Sequence, residues 1–436
     1  MREPTKRYLP AMKTNRLGRN SCAVQLLSLC LGWGMLSCSP DKEVMLRVYN
    51  PLDQTRTDAI ILLSRGEIER WISVPVGQWP LLKDPSGNPV PSQVDDLDGD
   101  GAWDELFAMT DMEAGEHRKI TLGFIPVQDY PEFPVRTNLH LGDATDQYRK
   151  LDRARRLEGV SYDNYENRTG AEFQMEGPAW ENDLVGFRNY LDQRNGMDIF
   201  GKTTTAMVLD RVGLPGEPSY HEPGDWGQDV LKVGSSLGAG GIAYMYNDSL
   251  YRVGDNGSGS YQVLLRGPLR SRFNLRYENW LAGDQVVDVT QQVEIVAGRR
   301  CYQSLVSYEG SDVPLSLVVG IVNMKSDRLH VLELDANYTA LYTHDRQSED
   351  STFLAMALVV PTRYLERIGE TKNEGEGVIQ TYYAQLEASP GEWVPYRFYA
   401  LWEKENPLWR SGDEVEAYLK TEAERWSQSV IFADNP

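Results

Sequence analysis

Apolar and polar residues alternate with period two along much of the chain, and this pattern predicts a protein made mainly of β-strands. In Val286–Val296 the polar residues Asp288, Thr290, Gln292 and Glu294 share one face. Similar runs, separated by turns rich in glycine and proline, recur from residue 44 to residue 402. A helical pattern follows at the end, where an amphipathic helix is predicted to begin at a capping box near Asp413.

The spacing of these runs predicts two β domains. Residues 44–125 contain short strands and turn sequences such as Asp84–Pro89, which is typical of a small β-sandwich. Residues 126–176 are predicted to be a linker leading into the second domain. Residues 177–436 continue as an antiparallel β region that ends in the helix.

Residues 1–37 have the features of a signal peptide. Six basic residues precede the apolar run Ala23–Leu36, which is too short to span a bilayer comfortably. The run ends at Leu36-Ser37-Cys38, which resembles a bacterial lipobox and implies lipidation of Cys38. Residues 38–43 would form a tether. We therefore expect an outer-membrane lipoprotein, on the cell surface or periplasmic face, anchored by lipid alone; the alternative is an ordinary signal peptide with a chance cysteine.

The charge balance excludes one class of partner. The chain of 436 residues has a formal charge of −20, which becomes −25 when the six basic residues and one acid of the signal are removed. Phosphate binding needs a basic surface, so we expect no nucleic-acid partner. Cys301 would be the one unlipidated cysteine left, and its strand-like surroundings predict a buried structural thiol.

The most specific local motif is an acidic loop in the first domain. It places carboxylates at loop positions 1, 3, 5 and 9, a glycine at position 6 and a backbone carbonyl at position 7, as a hard cation requires. The motif resembles the calcium loops of integrin-type hairpins and predicts a structural Ca²⁺; the alternative is a solvated acidic turn. No organic cofactor is expected. The predicted ligands are Asp96, Asp98, Asp100, Ala102 and Asp104.

Two groups of basic residues have simpler explanations than a ligand. The run from Arg149 to Arg156 is predicted to be a solvated helix or linker. The alternating arginines at 270–276 are predicted to pair with acids of the next strand, Arg276 with Asp288 and Arg270 with Glu294. That register would leave Arg272 free to bind an anion.

The stretch from Glu176 to Gly241 is the candidate functional region, because glycines and prolines repeatedly interrupt a sequence rich in acids, bases and aromatics. His221 is the candidate general base or acid, with Tyr220 beside it. A structural histidine is the alternative. The acids that could act as paired carboxylates or bind substrate are Glu181, Asp183, Glu222, Asp225 and Asp229.

The cations and tryptophans of the same stretch could hold a sugar. Arg188, Lys202 and Lys232 could each bind a sugar carboxylate, and the alternative for each is a salt bridge to a neighbouring acid. Trp180 and Trp226 offer flat faces suited to sugar rings, although core packing is the alternative for either one.

Three motifs carry a resemblance to a known family: GPAWENDLVGFRNYLDQRNGMDIFGK, YHEPGDWGQDVLKVGSSLGAGG and the late WVPYRFYALWE. Over nearly all of the chain after the signal, the sequence resembles the DUF4861 family of Bacteroidetes lipoproteins, whose name records an unassigned activity. The resemblance implies a role in polysaccharide use, beside enzymes that act on uronic-acid glycans. It also implies a galactose mutarotase-like β super-sandwich from about residue 177 onward.

Three functional hypotheses follow. The first is a lyase or hydrolase of uronic-acid-containing oligosaccharides, with His221 or Tyr220 as base and Arg188 or Lys202 on the carboxylate. The second is a mutarotase-like epimerase, with His221 as acid and a carboxylate as base. The third is a non-catalytic glycan-binding lipoprotein that uses Trp180 and Trp226.

Overall fold

The computed structural model describes residues 43–156 and 172–432, which belong to one compact unit spanning residues 42–436. The predicted signal peptide, Cys38 and nearly all of the tether lie outside the described residues. Within the described ranges, no helix has the length and apolar character needed to cross a lipid bilayer. The fold is mainly β, as the alternation predicts, with two β parts and one long C-terminal helix.

The strands of the described residues pair in antiparallel ladders. The first six are β1 (Val44–Tyr49), β2 (Arg56–Ser64), β3 (Gln78–Lys83), β4 (Ser92–Asp95), β5 (Glu105–Met112) and β6 (His117–Pro126). The next ten are β7 (Thr137–His140), β8 (Gly142–Asp143), β9 (Arg149–Lys150), β10 (Arg153–Arg156), β11 (Ala179–Asn182), β12 (Val185–Asn189), β13 (Met197–Lys202), β14 (Gly227–Asp229), β15 (Ala239–Tyr246) and β16 (Ser249–Arg252).

The remaining strands and the helices complete the fold. The strands are β17 (Ser258–Arg266), β18 (Arg270–Ala282), β19 (Gln285–Val296), β20 (Cys301–Glu309), β21 (Ser316–Val322), β22 (His330–Glu333), β23 (Tyr338–Asp345), β24 (Leu354–Pro361), β25 (Leu365–Glu370), β26 (Thr381–Leu386), β27 (Val394–Trp402) and β28 (Ile431–Phe432). The α-helices are α1 (Arg65–Trp71) and α2 (Gly412–Ser427), and 3₁₀ turns occupy Val127–Asp129, Gln174–Glu176, Thr362–Tyr364 and Pro407–Arg410.

The N-terminal sandwich takes one strand from the end of the chain. Its two sheets have the strand orders β28-β1-β6-β3 and β2-β5-β4, and their facing apolar residues form a separate core. Phe432 of β28 pairs with Val48 of β1. The predicted boundary, which gives residues 177–436 wholly to the second domain, therefore differs from the structure, because the open edge of β1 pairs with the last described strand.

The larger part has the two layers of a β super-sandwich. A nine-stranded sheet, in the order β10-β17-β18-β19-β20-β27-β24-β23-β22, packs against two five-stranded sheets. Those sheets have the orders β14-β13-β12-β11-β7 and β16-β15-β21-β26-β25. The largest apolar cluster contains residues of all three sheets, so the core lies between the layers.

The segment from 126 to 176 contributes more than a linker. Thr137–His140 pairs with β11, and Arg153–Arg156 pairs with β17 at the edge of the nine-stranded sheet. The prediction of a solvated helix or linker for the basic run is therefore wrong about its secondary structure, although Arg149, Arg153 and Arg155 are exposed. Pairing with an open sheet edge satisfies the backbone of these residues, and Arg155 forms an ion pair with Glu278 at 3.1 Å.

A β-bulge between Tyr277 and Trp280 changes the register of the arginine-rich strand. Arg276 does contact Asp288, with Nη2 3.2 Å from Oδ2. Arg272, predicted to be free, instead donates from Nε to Glu294 at 2.9 Å. The bulge inserts an extra residue that a register counted from the turn cannot include, so the predicted pairing of Arg270 with Glu294 is wrong.

Helix α2 covers the outer face of the nine-stranded sheet. Its N-cap is Ser411, two residues before the predicted capping box, and the Ser411 side chain accepts from the backbone N–H of Glu414. Val415 and Leu419 lie on the face of α2 that packs against the sheet, in an apolar cluster that includes Cys301. Burial raises the pKa of Cys301 to about 12, which confirms a buried, unreactive thiol.

Candidate functional site

Two neighbouring strands place a buried arginine beside a buried acid. Arg188 of β12 lies directly opposite Asp198 of β13, and Nη2 of Arg188 is 2.7 Å from Oδ2 of Asp198. The same Nη2 is 3.1 Å from Oδ2 of Asp229 on β14. Tyr190 and Tyr220 complete the group, with their hydroxyls 2.8 and 3.2 Å from the guanidinium nitrogens. We call these five residues the Arg188 cluster.

The alternation of β12 and β13 explains why the charges share one face. Phe187 and Ile199 point into the main core, so their neighbours Arg188, Asp198 and Phe200 point to the opposite face. That face is covered by an apolar cluster from the following loops, which includes Trp226. The Arg188 cluster is therefore buried because a loop packs over this face of the sheet.

Burial and a neighbouring negative charge perturb Asp198. Burial, together with the charge of Asp229, raises the pKa of Asp198 to about 7 even though the contact with Arg188 lowers it. One arginine thus faces two carboxylates. A second positive charge, or a proton on one carboxyl group, is needed for neutrality.

His221 can supply that charge. Its Nδ1 lies 3.4 Å from Oδ2 of Asp229, and its side chain is 49% exposed. The hydrogen bond and the charge of Asp229 raise the pKa of His221 above its ordinary value, although partial burial opposes them. The ring of Tyr220 packs against the imidazole, with centroids 4.3 Å apart. The histidine is therefore held by a buried acid while it remains open to solvent.

A cavity of about 380 Å³ adjoins this pair. Arg188 and Asp229 form part of its buried wall, and His221 lies at its edge. Lys232, which is exposed, adds positive charge, whereas Arg194 pairs with Asp192 and Glu176, and Glu349 pairs with Lys325. Four predicted site residues, His221, Arg188, Asp229 and Lys232, thus line one cavity, and Tyr220 contacts the first three of them.

Glu181 and Lys202 lie elsewhere and hold each other. Lys202 Nζ is 2.6 Å from Oε2 of Glu181, and neither side chain is more than 1% exposed. The other oxygen of Glu181 accepts from the backbone N–H groups of Val208 and Leu209 at 2.7 and 2.8 Å. The catalytic role predicted for Glu181 and the sugar-binding role predicted for Lys202 do not fit, because both groups are buried and fully engaged in shaping a loop.

Asp183 and Asp225 are also outside the cavity. Asp183 accepts from Arg136 Nε at 2.8 Å, and Arg136 also holds Asp58 of the N-terminal sandwich. Asp225 is 77% exposed and pairs with Arg211 at 2.8 Å. The structure gives Asp183 a role between the two β parts and gives Asp225 a surface ion pair.

Neither predicted tryptophan platform is available to a sugar. Trp180 is 0% exposed and its ring packs against Phe187, Phe273 and Tyr302. Trp226 is 6% exposed and packs edge-on against Phe200. The platform role does not fit either position, because no ring face is open. Core packing accounts for both.

Sequence reasoning assigned no role to Asp198, Tyr190, Arg194 and Glu349. Asp198 has a signal that could have found it, because it alternates with the core residue Ile199 on a short strand and follows Arg188 by ten residues. Glu349 has none, because it comes from a distant loop that is tied to this sheet by its backbone N–H, which donates to the carbonyl of Val230 at 2.9 Å.

The acidic loop joins β4 to β5 and brings three of the predicted ligands together. Carboxylate oxygens of Asp96, Asp98 and Asp104 lie within 4.8 Å of one another. Asp100 lies outside this group, and its Oδ1 accepts from the backbone N–H of Ala102 at 2.7 Å. Three converging carboxylates fit a hard cation, so Ca²⁺ stays a prediction for this loop. None of these residues lines the His221 cavity.

Fold and site together define a two-part β-sandwich protein with a charged cavity on its larger part. The chain belongs to the family described as Domain of unknown function (DUF4861), whose model matches residues 48–431. It is 24% identical over 265 residues to Uncharacterized protein P7 of Formosa agariphila, covering 57% of this chain and 64% of that protein.

Two solved structures match over most of this chain at low similarity. An alpha-mannosidase from Enterococcus faecalis V583 matches with a TM-score of 0.39 and 8% identity, over 91% of this chain and 46% of that one. A protein in the glycosyl hydrolase family 38 from Enterococcus faecalis matches with a TM-score of 0.40 and 7% identity, over 91% and 48%. The chain thus spans less than two thirds of P7 and about half of each solved structure.

Proposed function

We propose that the protein is a carbohydrate-active enzyme that cleaves uronic-acid-containing oligosaccharides at the cavity beside the Arg188 cluster. The observation that carries this proposal is the pairing of His221 with the buried Asp229 at a cavity that also presents Lys232 and Arg194. A histidine oriented by a carboxylate is suited to proton transfer near neutral pH. Cations in the same cavity are suited to a sugar carboxylate.

Among cleavage reactions, β-elimination fits the charges best. With the balancing proton held by Asp198, whose pKa is raised to about 7, His221 is neutral and would remove the C5 proton, while Lys232 would stabilise the negative charge that develops on the adjacent carboxylate. The electrons of the C–H bond form the C4–C5 double bond as the C4–O bond breaks. Tyr220, whose oxygen accepts from Arg188, keeps its own proton to give to the leaving oxygen.

Hydrolysis by paired carboxylates fits less well. Among the described residues, the acids that line the cavity are Asp229 and Glu349. Asp229 is 3% exposed and already bound to Arg188, so it is not free to attack a sugar or to protonate a leaving group. An epimerase would have to draw its base from the same two acids. A glycan-binding role would have to rely on the cavity cations, since both predicted platforms are buried.

The test is incubation of the purified protein with a panel of uronic-acid oligosaccharides, followed by mass and ultraviolet absorbance of the products. A lyase gives unsaturated products, a hydrolase gives products heavier by one water, and a binder gives neither. We expect His221→Gln to lower kcat about 100-fold or more with little change in binding. Lys232→Met should raise KM and also lower kcat, because the lysine would bind the substrate carboxylate and stabilise the charge that develops on it.

His117→Gln is the matched control, because His117 is exposed on β6 of the N-terminal sandwich and stacks only on Tyr49. Its turnover should equal that of the unmodified protein. Full activity in His221→Gln would exclude this site. Binding without turnover of any oligosaccharide in the panel would contradict the enzyme hypothesis and support a glycan-binding role.

A further inference from the structure

A second cavity, of about 530 Å³, lies where the N-terminal sandwich, helix α2 and the nine-stranded sheet meet. Four arginines line it, and each comes from a different element. Arg56 belongs to β2, Arg299 to the turn between β19 and β20, Arg397 to β27 and Arg425 to α2. In a chain with a formal charge of −20, this convergence of guanidinium groups needs an explanation.

In the part of the chain that the structure describes, the two acids that line the cavity form no ion pair with these arginines. Glu67 accepts from the backbone N–H and hydroxyl of Ser64 at 2.9 and 2.8 Å as part of a helix cap. Glu105 pairs with Arg270, outside the cavity lining. Both lining acids are therefore engaged elsewhere.

The buried Glu422 balances one of the four arginines. Its Oε1 accepts from Nη1 of Arg425 at 2.8 Å, and its Oε2 lies 4.0 Å from Nε of Arg299. One carboxylate between two guanidinium groups leaves about one positive charge uncompensated there. Arg56 and Arg397 add two more.

Two guanidinium nitrogens have no hydrogen-bond acceptor within the described residues. Arg56 is only 4% exposed, and its Nε has no hydrogen-bond acceptor among the described residues. The Nε of Arg425 is likewise without an acceptor in the described chain. Within the same ranges, Arg397 forms no ion pair, and its guanidinium lies 3.9 Å from the ring centroid of Trp426. Buried donors left without acceptors are costly, so this arrangement points to a missing acceptor.

Repulsion within the cavity supports the same conclusion. Burial, together with the positive charges of Arg425 and Arg299, lowers the pKa of Arg56. A bound anion would offset this repulsion with its negative charge and would also supply acceptors for the unpaired donors. Guanidinium groups match the geometry of oxyanions, to which they donate two parallel hydrogen bonds.

We propose that this cavity binds an oxyanion, the group shared by sulfate, phosphate and carboxylate compounds, between Arg56, Arg397 and Arg425. Apolar side chains, including Ile60 and Phe432, line the remainder and leave room for an organic body. Because the arginines come from both β parts and from α2, the anion would hold these elements together. This site is separate from the His221 cavity and does not depend on the proposed enzymatic function.

The test measures melting temperature and binding heat for the purified full chain with sodium sulfate, sodium phosphate or sodium glucuronate, against sodium chloride at equal ionic strength. A saturable increase of about 3 °C is expected for at least one oxyanion at about 100 times its Kd. The anion that saturates at the lowest concentration identifies the chemical source. Sulfate also stabilises proteins generally by exclusion from their surface, so saturation and the variants below decide the outcome.

Arg397→Gln should lose the saturable increase and the binding heat, and Arg397→Lys should retain only part of both. Arg276→Gln is the matched control, because it removes the same charge from a half-exposed position on β18 outside the cavity lining. It should keep the full response. Comparing increments, not absolute melting temperatures, separates anion binding from any loss of stability in the variants. An equal increment in Arg397→Gln, or no saturable response to any of the three anions, would overturn the proposal.

Discussion

The Nδ1 atom of His221 lies 3.4 Å from Oδ2 of Asp229, and the same oxygen accepts a hydrogen bond from Arg188 at 3.1 Å. The carboxylate is 3% exposed, whereas the imidazole is 49% exposed. A buried charge therefore controls the protonation of a ring that solvent and substrate can reach. The position of Arg188 in turn fixes the carboxylate.

Asp229→Asn should lower the pKa of His221 toward or below its ordinary value, because the hydrogen bond and negative charge that raise it are removed. The raised pKa contributes stability that is present below about pH 6.5 and is lost as pH rises through the folded-state pKa. The variant should lose that pH dependence. Histidine NMR titration measures the shift directly.

Glu349→Gln is the control for this experiment, because Glu349 lines the same cavity but pairs with Lys325 at 2.6 Å. It should change the pKa of His221 much less than Asp229→Asn does. Equal titration curves for the unmodified protein and Asp229→Asn would show that the two residues are not coupled.

Arg188→Met should destabilise the fold by about 3–5 kcal/mol, because it leaves two buried carboxyl groups without their shared cation. Asp198→Asn should cost less, since the pKa of Asp198 is raised to about 7 and the group is already partly protonated at neutral pH. Urea unfolding measures both. Stability of Arg188→Met within about 1 kcal/mol of the unmodified protein would contradict this account of the cluster.

Asp198 also predicts a pH dependence of stability. Its carboxyl group binds a proton in the folded state up to about pH 7, whereas the reference pKa is 3.8. The folded state then binds more protons between these values, so this group makes stability fall as pH rises through the window. Asp198→Asn should flatten this part of the curve. If the slope of the unfolding free energy against pH were unchanged in Asp198→Asn between pH 4 and 7, a group other than Asp198 would bind the proton.

Calcium removal should lower the melting temperature and leave activity at the His221 cavity unchanged. The reason is that Asp96, Asp98 and Asp104 would repel one another without a cation in a loop that supports the N-terminal sandwich. Asp98→Asn should be insensitive to chelation, whereas Asp84→Asn, in an exposed turn of the same domain, should respond like the unmodified protein. Identical melting with calcium and with chelator would rule out the ion.

Deleting residues 431–436 should destabilise the N-terminal sandwich by about 2 kcal/mol, because β1 loses one of its two neighbouring strands and Phe432 no longer packs near Trp71. Amide hydrogen exchange should report the loss at Tyr49, because the N–H of the next residue, Asn50, bonds to Glu116 on the β6 side and N–H groups alternate sides along a strand. Deleting only residues 433–436 is the control and should retain protection. Normal exchange in the longer deletion would show that this pairing contributes no stability.

Much of the fold follows from local pattern, whereas its register does not. Alternation along Val286–Val296 predicts a strand with alternating faces, and the structure has one there. The partners of Arg270 could not be counted from the turn, because a bulge alters the register and Asp95 of the other sandwich supplies the acid. A register depends on every residue between two strands, so one insertion moves each pair beyond it.

The candidate site shows the same division. Its region was predictable, because Glu176–Gly241 concentrates charged and aromatic residues among turns, and His221, Arg188, Asp229 and Lys232 do line one cavity. The sequence could not predict which of the candidate site residues would be exposed to substrate. A tryptophan or lysine is buried only when a segment far away in the sequence covers it.

The sequence by itself determined the strand content, the acidic loop, the C-terminal helix and the stretch that holds the candidate histidine, because each of these depends on residues that are close together in the chain. Only the tertiary structure decided that Trp180 is core, that Glu181 and Lys202 neutralise each other, and that four arginines meet at one cavity. Burial and charge pairing depend on contacts between segments far apart in sequence, and alternation along one strand cannot specify which face another segment will cover.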